Sequence, residues 1–360
     1  MDQRLKDKLI KRKEEGTLRS LSSFSGMIDF QSNDYLGLAK EKFLTNDEGG
    51  GSTGSRLIAG TSEEAIRCEE TLTDHFDCEG ALVFNSGYDA NLGLFSSAPQ
   101  KGDTILYDEE IHASVRDGIR LSFAKSYSFK HNDLNDLKQK LDRFSGTIYV
   151  AIESLYSISG QIAPIKEVVD LCREYGAWLI VDEAHAAGIY GEKGRGLTHE
   201  FRDSIFARLV TFGKAYGSHG AAVIGSQELK DYLVNFARSF IYTTALPPGS
   251  YERVTQVVND TSLELKRERL YQLIRYFREK MDRFDLFSDS CSPIQAIRIN
   301  DRALLNQLVD DCAKRNMALK AIFSPTVSRE NECMRVILHA FNTEEQIDEL
   351  SEVLERSLVQ

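Results

Sequence analysis

Between Ala81 and Ile224 short apolar runs alternate with stretches of helical period, and this alternation restricts the fold more than any other feature of the chain. Ala81–Phe84, Thr104–Tyr107, Thr147–Ile152, Ala177–Val181, Leu209–Phe212 and Ala221–Ile224 read as strands: they are too short for helices and are bounded by turn-forming residues. Pro164 to Tyr175 is the best-marked helix between them. Pro164 sits where a first-turn proline is tolerated, Ile165, Val168, Val169, Cys172 and Tyr175 form an apolar stripe, and Gly176 ends it. Strands alternating with helices build a mostly parallel sheet covered by helices on both faces, so an α/β fold is expected. Ligands of such sheets gather at the carboxyl ends of the strands, where Glu153, Asp182 and Lys214 fall.

At 360 residues the chain exceeds the usual span of one hydrophobic core, which predicts one large and one smaller domain. Asp2 to Glu15 reads as a short helix, Gly16 to Gly26 as a serine-rich connection, and Asn33-Asp34 as a turn. Glu63 to Phe76 is predicted helical, with Ala65, Cys68, Leu72 and His75 on one face. After Pro247-Pro248 the pattern changes: a long helical region from Tyr251 to about Arg283, then strands at Ile294–Ile299, Ala318–Phe323 and Met334–Leu338. Thr343-Glu344-Glu345-Gln346 is a capping box for a last helix with the stripe Ile347, Leu350, Val353 and Leu354. The expected division is an N-terminal helix and arm (1–35), a large domain (36–248) and a small α+β domain (249–360).

A net charge of −11 argues against non-specific nucleic-acid binding. The first fifteen residues lack the apolar run of a signal peptide, and no stretch reaches the roughly 18 apolar residues of a membrane span, so a cytoplasmic protein is expected. Six scattered cysteines with no CxxC pair indicate neither a disulfide framework nor a metal site; buried free thiols are the plainer reading. Gly49, Gly51 and Gly54 match G-x-G-x-x-G, but the dinucleotide-binding form needs an apolar strand immediately before it, and Lys40 to Glu48 is not one.

The chemistry centres on Thr211 to Val223, where Lys214 follows an apolar run and is flanked by glycines at 213, 217 and 220. A desolvated lysine forms a Schiff base with a carbonyl, although a lysine beside glycine is also an ordinary loop residue. Val181-Asp182-Glu183-Ala184-His185 strengthens the first reading, because pyridoxal phosphate needs an acid for its ring nitrogen as well as a lysine for its aldehyde. His185 can bond the ring hydroxyl or serve as a core histidine. Ser86-Gly87-Tyr88, after a strand and opening a helix, suits a phosphate, with Thr211 offering a hydroxyl nearby. His112 can stack on a ring or play a structural part, and Arg335, inside an apolar strand, can clamp a carboxylate or form an internal salt bridge.

Taken in order, these residues resemble the α-oxoamine synthases, fold-type I pyridoxal-phosphate enzymes that condense an amino acid with an acyl thioester. The resemblance runs from about Phe30 to the C-terminus and rests on Ser32 to Leu38, Gly51 to Gly60, Ser86-Gly87-Tyr88, His112-Ala113-Ser114, His131-Asn132-Asp133, Val181 to His185, Thr211 to Val223, Ile241 to Thr244 with Pro247-Pro248, and Asp289 to Ser292 with Ile294-Gln295. It implies Lys214 as the Schiff-base lysine, Asp182 on the pyridine nitrogen, His185 on the ring hydroxyl, and His112 stacked on the ring. Gly87, Tyr88, Ser157 and Thr211 are further implied cofactor contacts, while Asn33, Arg335 and Thr326 are implied to bind substrate. Thr243 and Thr244 match a segment that reaches the phosphate from the neighbouring subunit, which implies a homodimer with shared active sites. The substrates implied are L-alanine and a pimeloyl thioester on coenzyme A or acyl carrier protein. Rival readings keep the chemistry with glycine or serine in place of alanine, or keep the fold without the cofactor, or bind a nucleotide at the glycines of 49 to 54.

Two departures stand out. The segment before Phe30 is shorter than is usual in this family, which leaves its substrate-facing arginine to Arg12 or Arg19. His219 is a bulky residue in the glycine-rich turn after Lys214.

Overall fold

The computed structural model describes residues 2–19, 21, 23–42, 50–287 and 291–358; Gly49, most of Lys40 to Glu48, Asp289 and Ser290 lie outside them. In chain order the first elements are α1 (Gln3–Glu14), β1 (Ile28–Asp29), α2 (Glu63–Phe76), β2 (Gly80–Phe84), α3 (Gly87–Ser97), β3 (Thr104–Asp108), α4 (Ala113–Leu121) and β4 (Lys125–Phe129). Next come α5 (Leu134–Arg143), β5 (Ile148–Glu153), α6 (Ile165–Tyr175), β6 (Trp178–Asp182), β7 (Ala207–Thr211), β8 (Ala221–Gly225), α7 (Gln227–Phe236) and α8 (Arg238–Ile241). Strands β2 to β8 form a seven-stranded sheet in the order β2-β8-β7-β6-β5-β3-β4. Only β8 runs antiparallel to its neighbours; the other pairings are parallel.

The two-residue strand period places each strand's side chains in opposite layers. In β2, Leu82 and Phe84 enter one core with α3, α4, α7 and α8, whereas Ala81 and Val83 enter another with α2. In β5, Tyr149 and Ala151 join the first of these cores, while Ile148, Val150 and Ile152 join a third with Val168, Val169 and Cys172 of α6. Helices therefore cover both faces, and the apolar continuity of the buried strands follows from having no wet side.

Helix α6 begins at Ile165, with Pro164 as its N-cap rather than its first helical residue, and Gly176 closes it at φ +62°. Tyr175 is only partly buried. On α2 the buried face is Ala65, Cys68, Glu69, Leu72 and Phe76; His75 sits at its margin. Glu69 is tolerated there because Arg56 Nη1 meets its carboxylate at 2.8 Å and Lys230 Nζ at 3.1 Å.

The remaining elements are α9 (Pro248–Val258), α10 (Leu263–Met281), β9 (Ile294–Arg298), α11 (Arg302–Lys314), β10 (Met317–Ala318), β11 (Lys320–Ile322), β12 (Cys333–Ile337) and α12 (Glu344–Leu358). The long helix expected from Tyr251 to Arg283 is two helices. Asp260 Oδ1 accepts from Ser262 N–H at 2.8 Å, so a short polar side chain competes with the helical ladder at the break. The strand expected at Ala318–Phe323 also divides: β10 pairs with β1, and β11 pairs antiparallel with β12. At α12 the capping box is reciprocal, Thr343 N–H donating to Gln346 Oε1 at 3.2 Å and Gln346 N–H to Thr343 Oγ1 at 3.3 Å.

The N-terminal arm is stitched to this C-terminal region. Phe30 N–H donates to Ala318 O, Ile337 N–H to Phe30 O and Ala340 N–H to Tyr35 O. One contiguous core contains Tyr35 and Leu36, Val210 and Ala222 of the large sheet, and Val336 and Leu350 of the C-terminal part. The packing thus carries Asn33 and Arg335, distant in sequence, to the carboxyl edge of the large sheet.

Candidate active site

Strands β5, β6 and β7 end side by side, so Glu153, Asp182 and Thr211 emerge at one edge. Lys214 follows three residues after β7 ends. These residues line a cavity of about 250 Å³ together with Asn33, Ser86, Gly87, Tyr88, Asn91, His112, Ser114, His185 and His219. Lys214 is half-buried in this wall, and desolvation pushes its ammonium pKa down; the charges of Asp182 and then Glu153 push it up, and Arg335 adds to the lowering. A lysine held below its ordinary value is one that more readily offers a free amine to an aldehyde.

Asp182 is fixed on both oxygens. Its Oδ1 accepts from Ala184 N–H at 2.9 Å and its Oδ2 from Asn91 Nδ2 at 2.8 Å. Beside it, in register on β5, Glu153 is fully buried with Oε1 unpartnered, and burial, then the charge of Asp182, raises its carboxyl pKa well above the ordinary range. Two neighbouring carboxyls in a dry site cannot both ionise cheaply, so Glu153 is the one that stays protonated.

His185 is buried, and its Nδ1 lies 2.6 Å from Tyr35 Oη. Burial first, then the charges of Lys214 and Arg335, pushes its pKa well below the usual histidine value, so it works as a neutral imidazole. Tyr35 Oη also donates to Asn33 Oδ1 at 3.3 Å, and Arg335 Nη2 donates to the same oxygen at 3.0 Å. Arg335 Nε donates to Ser157 O at 2.8 Å. Both of these partners are neutral oxygens, which leaves the guanidinium charge for an incoming anion, as the carboxylate-clamp reading requires.

At the opposite wall, α3 begins at Gly87 with Ser86 as N-cap. A Cβ at Gly87 would lie 2.7 Å from Thr211 Cγ2, so the helix start and the end of β7 approach as closely as glycine permits. Free N–H groups and the positive end of an eleven-residue helix converge there, which suits a phosphate. Amine, carboxylate, neutral imidazole and anion cradle fit the phosphorylated pyridine aldehyde expected from the sequence. Gly217 has another reason: at φ +54° its Cβ would meet the Leu38–Ala39 backbone at 2.5 Å, so close chain packing, not a bound group, requires it.

The structure brings Lys214, Asp182, His185, His112, Gly87, Tyr88, Thr211 and Asn33 to the cavity wall. Arg335 and Ser157 stand behind Asn33 through the hydrogen bonds above. Thr243 and Thr244 contact Asn85, whose Nδ2 donates to Thr243 Oγ1 at 3.1 Å and Thr244 O at 2.7 Å, and neither lines the cavity of this single chain. Thr326 is exposed and accepts from Arg19 Nη2 at 3.4 Å, which places Arg19 rather than Arg12 beside it; Arg12 O instead accepts from Thr17 N–H behind α1. Sequence reasoning did not single out Tyr35, Asn91 or Ser114. Tyr35 and Ser114 lie in segments that carry the family resemblance, but Asn91 offers no signal beyond being a polar residue in a predicted helix.

The chain matches the family model described as aminotransferase class I and II over residues 25–354. Similar curated proteins include the 8-amino-7-oxononanoate synthase of Emericella nidulans, 38% identical over 98% of this chain and 92% of that protein. The protein of the same name from Vibrio atlanticus is 34% identical over 98% and 94%. Among solved structures, serine palmitoyltransferase from S. paucimobilis with a bound PLP-myriocin aldimine has a TM-score of 0.90 at 26% identity, covering 98% of this chain and 96% of that one. The 8-amino-7-oxononanoate synthase of Francisella tularensis has a TM-score of 0.79 at 31% identity, covering 93% and 98%.

Proposed function

The chain belongs to the aminotransferase class I and II family, and from that premise we propose that it condenses L-alanine with a pimeloyl thioester, giving 8-amino-7-oxononanoate, CO2 and free thiol, a step of biotin biosynthesis. Its cofactor is pyridoxal phosphate. The observation that carries the reading is a half-buried lysine whose pKa is lowered by desolvation, beside a doubly anchored aspartate, in a chain whose relatives of that name match it over nearly its full length. No helix among the described residues is long and apolar enough to cross a membrane.

When bound, pyridoxal phosphate supplies an aldehyde for the amino group and a ring that accepts electrons from the α-carbon. Lys214 would hold the aldehyde, the N-terminus of α3 with Thr211 the phosphate, Asp182 the ring nitrogen in its protonated form, and His185 the ring hydroxyl. Arg335 and Asn33 bind the alanine carboxylate and orient the Cα–H bond toward Lys214. Lys214, as a free amine, would take the α-proton, a role its lowered pKa favours. The α-carbon then bonds to the thioester carbonyl, the C–S bond breaks and the thiol leaves; the carboxylate departs as CO2 and a proton returns to the α-carbon. His112 would stack on the ring, and Thr326 with Arg19 would face the acyl chain. Thr243 and Thr244 would serve the site of a second copy in a homodimer.

The test is product formation. Cofactor-loaded protein is given L-alanine, glycine or L-serine with pimeloyl-coenzyme A or pimeloyl-acyl carrier protein, while thiol release and product mass are followed. The proposal expects 8-amino-7-oxononanoate from alanine at a rate well above the glycine and serine products. Preference for serine would move the reading to the neighbour of higher TM-score; preference for glycine would move it to the glycine-using members of the family.

A further inference from the structure

Asn91 projects from the second turn of α3 and is buried, yet it takes no part in the chemistry assigned above. Its Nδ2 carries two protons and has two acceptors: Asp182 Oδ2 at 2.8 Å and Ser114 Oγ at 3.0 Å. The amide cannot be turned over, because its oxygen would then face the Asp182 carboxylate. Ser114 is fully buried, and its Oγ has one further partner, His112 Nδ1 at 2.6 Å. Ser114 Oγ accepts from Asn91, and because the Ser114 backbone N–H makes His112 Nδ1 an acceptor, the hydroxyl proton goes to that nitrogen. Ser114 backbone N–H points at the same nitrogen at 3.2 Å, as the N-terminal cap of α4. Two donors converge on Nδ1, which leaves no room for a proton there.

We propose that Asn91 is a positioning residue that locks His112 as the neutral imidazole protonated on Nε2, while anchoring the Asp182 carboxylate. One buried amide thus sets two groups of the site, giving the cavity a hydrogen-bond donor at His112 and an acceptor at Asp182. The His112 pKa is lowered, first by partial desolvation of the ring against the opposing charge of Asp182, in keeping with a ring that stays neutral. The catalytic use of this arrangement rests on the function proposed above; the tautomer itself does not.

The experiment is long-range 1H–15N NMR of the full chain labelled in histidine, first without cofactor and then loaded, with His112→Gln to identify the signals. The expected spectrum near neutral pH shows His112 Nδ1 unprotonated and Nε2 protonated. A His112 protonated on Nδ1, or on both nitrogens, would overturn the proposal. In Asn91→Ala the Nε2–H preference should weaken and cofactor affinity should fall about 10- to 100-fold, the loss expected of one hydrogen bond to a charged group. Unchanged histidine signals together with unchanged affinity would overturn it as well. If Asn91→Ala does not fold, the wild-type spectrum and Ser114→Ala decide, the latter expected to shift the same histidine signals. A protein that never binds pyridoxal phosphate would refute the functional reading while leaving the His112 signals to judge the relay.

Discussion

Replacing Asp182 with asparagine keeps the side chain's shape and removes both its charge and one of its acceptors. In the native site both oxygens receive donors, Ala184 N–H at 2.9 Å and Asn91 Nδ2 at 2.8 Å. With Asn91 held in its native orientation, whichever way the new amide turns, its NH2 faces one of those donors. One charge-assisted bond is lost, about 1.5–3 kcal/mol, and a buried donor is left unmatched at about 1–3 kcal/mol; the two effects overlap, so a loss of about 2–4 kcal/mol is expected. At about 2 °C per kcal/mol for a chain of this size, the cofactor-free protein should melt roughly 4–8 °C lower. Cofactor affinity should fall about 10- to 100-fold for want of the anionic partner. Turnover at saturating cofactor should fall a further 10²- to 10³-fold or so, because the ring nitrogen is no longer held protonated against the charge that develops. Thermal melts of the cofactor-free protein, a cofactor titration by visible absorbance and steady-state thiol release measure the three quantities. Native affinity and turnover in Asp182→Asn would refute the assignment of this residue to the ring nitrogen, and an unchanged melting temperature would refute the donor clash.

Glu153→Gln should be mild for the fold, since burial and the neighbouring Asp182 charge favour the protonated carboxyl that the amide resembles. A folded-state pKa raised above the ordinary 4.5 makes the native state bind the extra proton, so Glu153 contributes stability below that value that is lost as pH rises. Melting temperatures against pH should therefore show the glutamine variant gaining on the wild type toward alkaline pH; parallel curves would contradict a protonated Glu153. Arg335→Lys cannot reproduce the contacts to Ser157 O and Asn33 Oδ1 and offers a point charge instead of a fork, so the KM for the amino acid should rise about 10- to 100-fold with a smaller change in kcat. An unchanged KM would take Arg335 out of carboxylate binding. Gly87→Ala forces its Cβ to within 2.7 Å of Thr211 Cγ2 and should lower stability by about 1–3 kcal/mol while weakening phosphate-dependent cofactor binding; competition by free phosphate, compared between the two proteins, measures the second effect.

What the sequence made legible was local or periodic. Asp182 and Lys214 follow apolar runs that can only be buried strands, and the Thr343–Gln346 box announces its helix within four residues. Strand β4 was not legible, because it lies at the sheet edge with four of its five residues exposed and so carries no apolar run. The helix break at 259–262 was hidden by flanking stripes that continue across it, and the exchange of Phe76 for His75 on the buried face of α2 reflects a helical period that is known only to within about one residue. Asn91 shows the deeper limit. Nothing near it in sequence speaks of function, and its role exists only because α3 packs against the edge where β6 ends, 91 residues away. Arg335 and Asn33 were legible as types but not as partners, since the pairing of β1 with β10 and the hydrogen bonds from Ile337 and Ala340 to the arm bring them together.

The account stands on Lys214 as the residue that carries the cofactor. Loading the protein with pyridoxal phosphate, reducing it with borohydride and mapping the peptides tests this directly. The account predicts a single pyridoxyl group, on Lys214, prevented by Lys214→Ala and by prior saturation with L-alanine. A pyridoxyl group on another lysine, or none after saturation with cofactor, would contradict it.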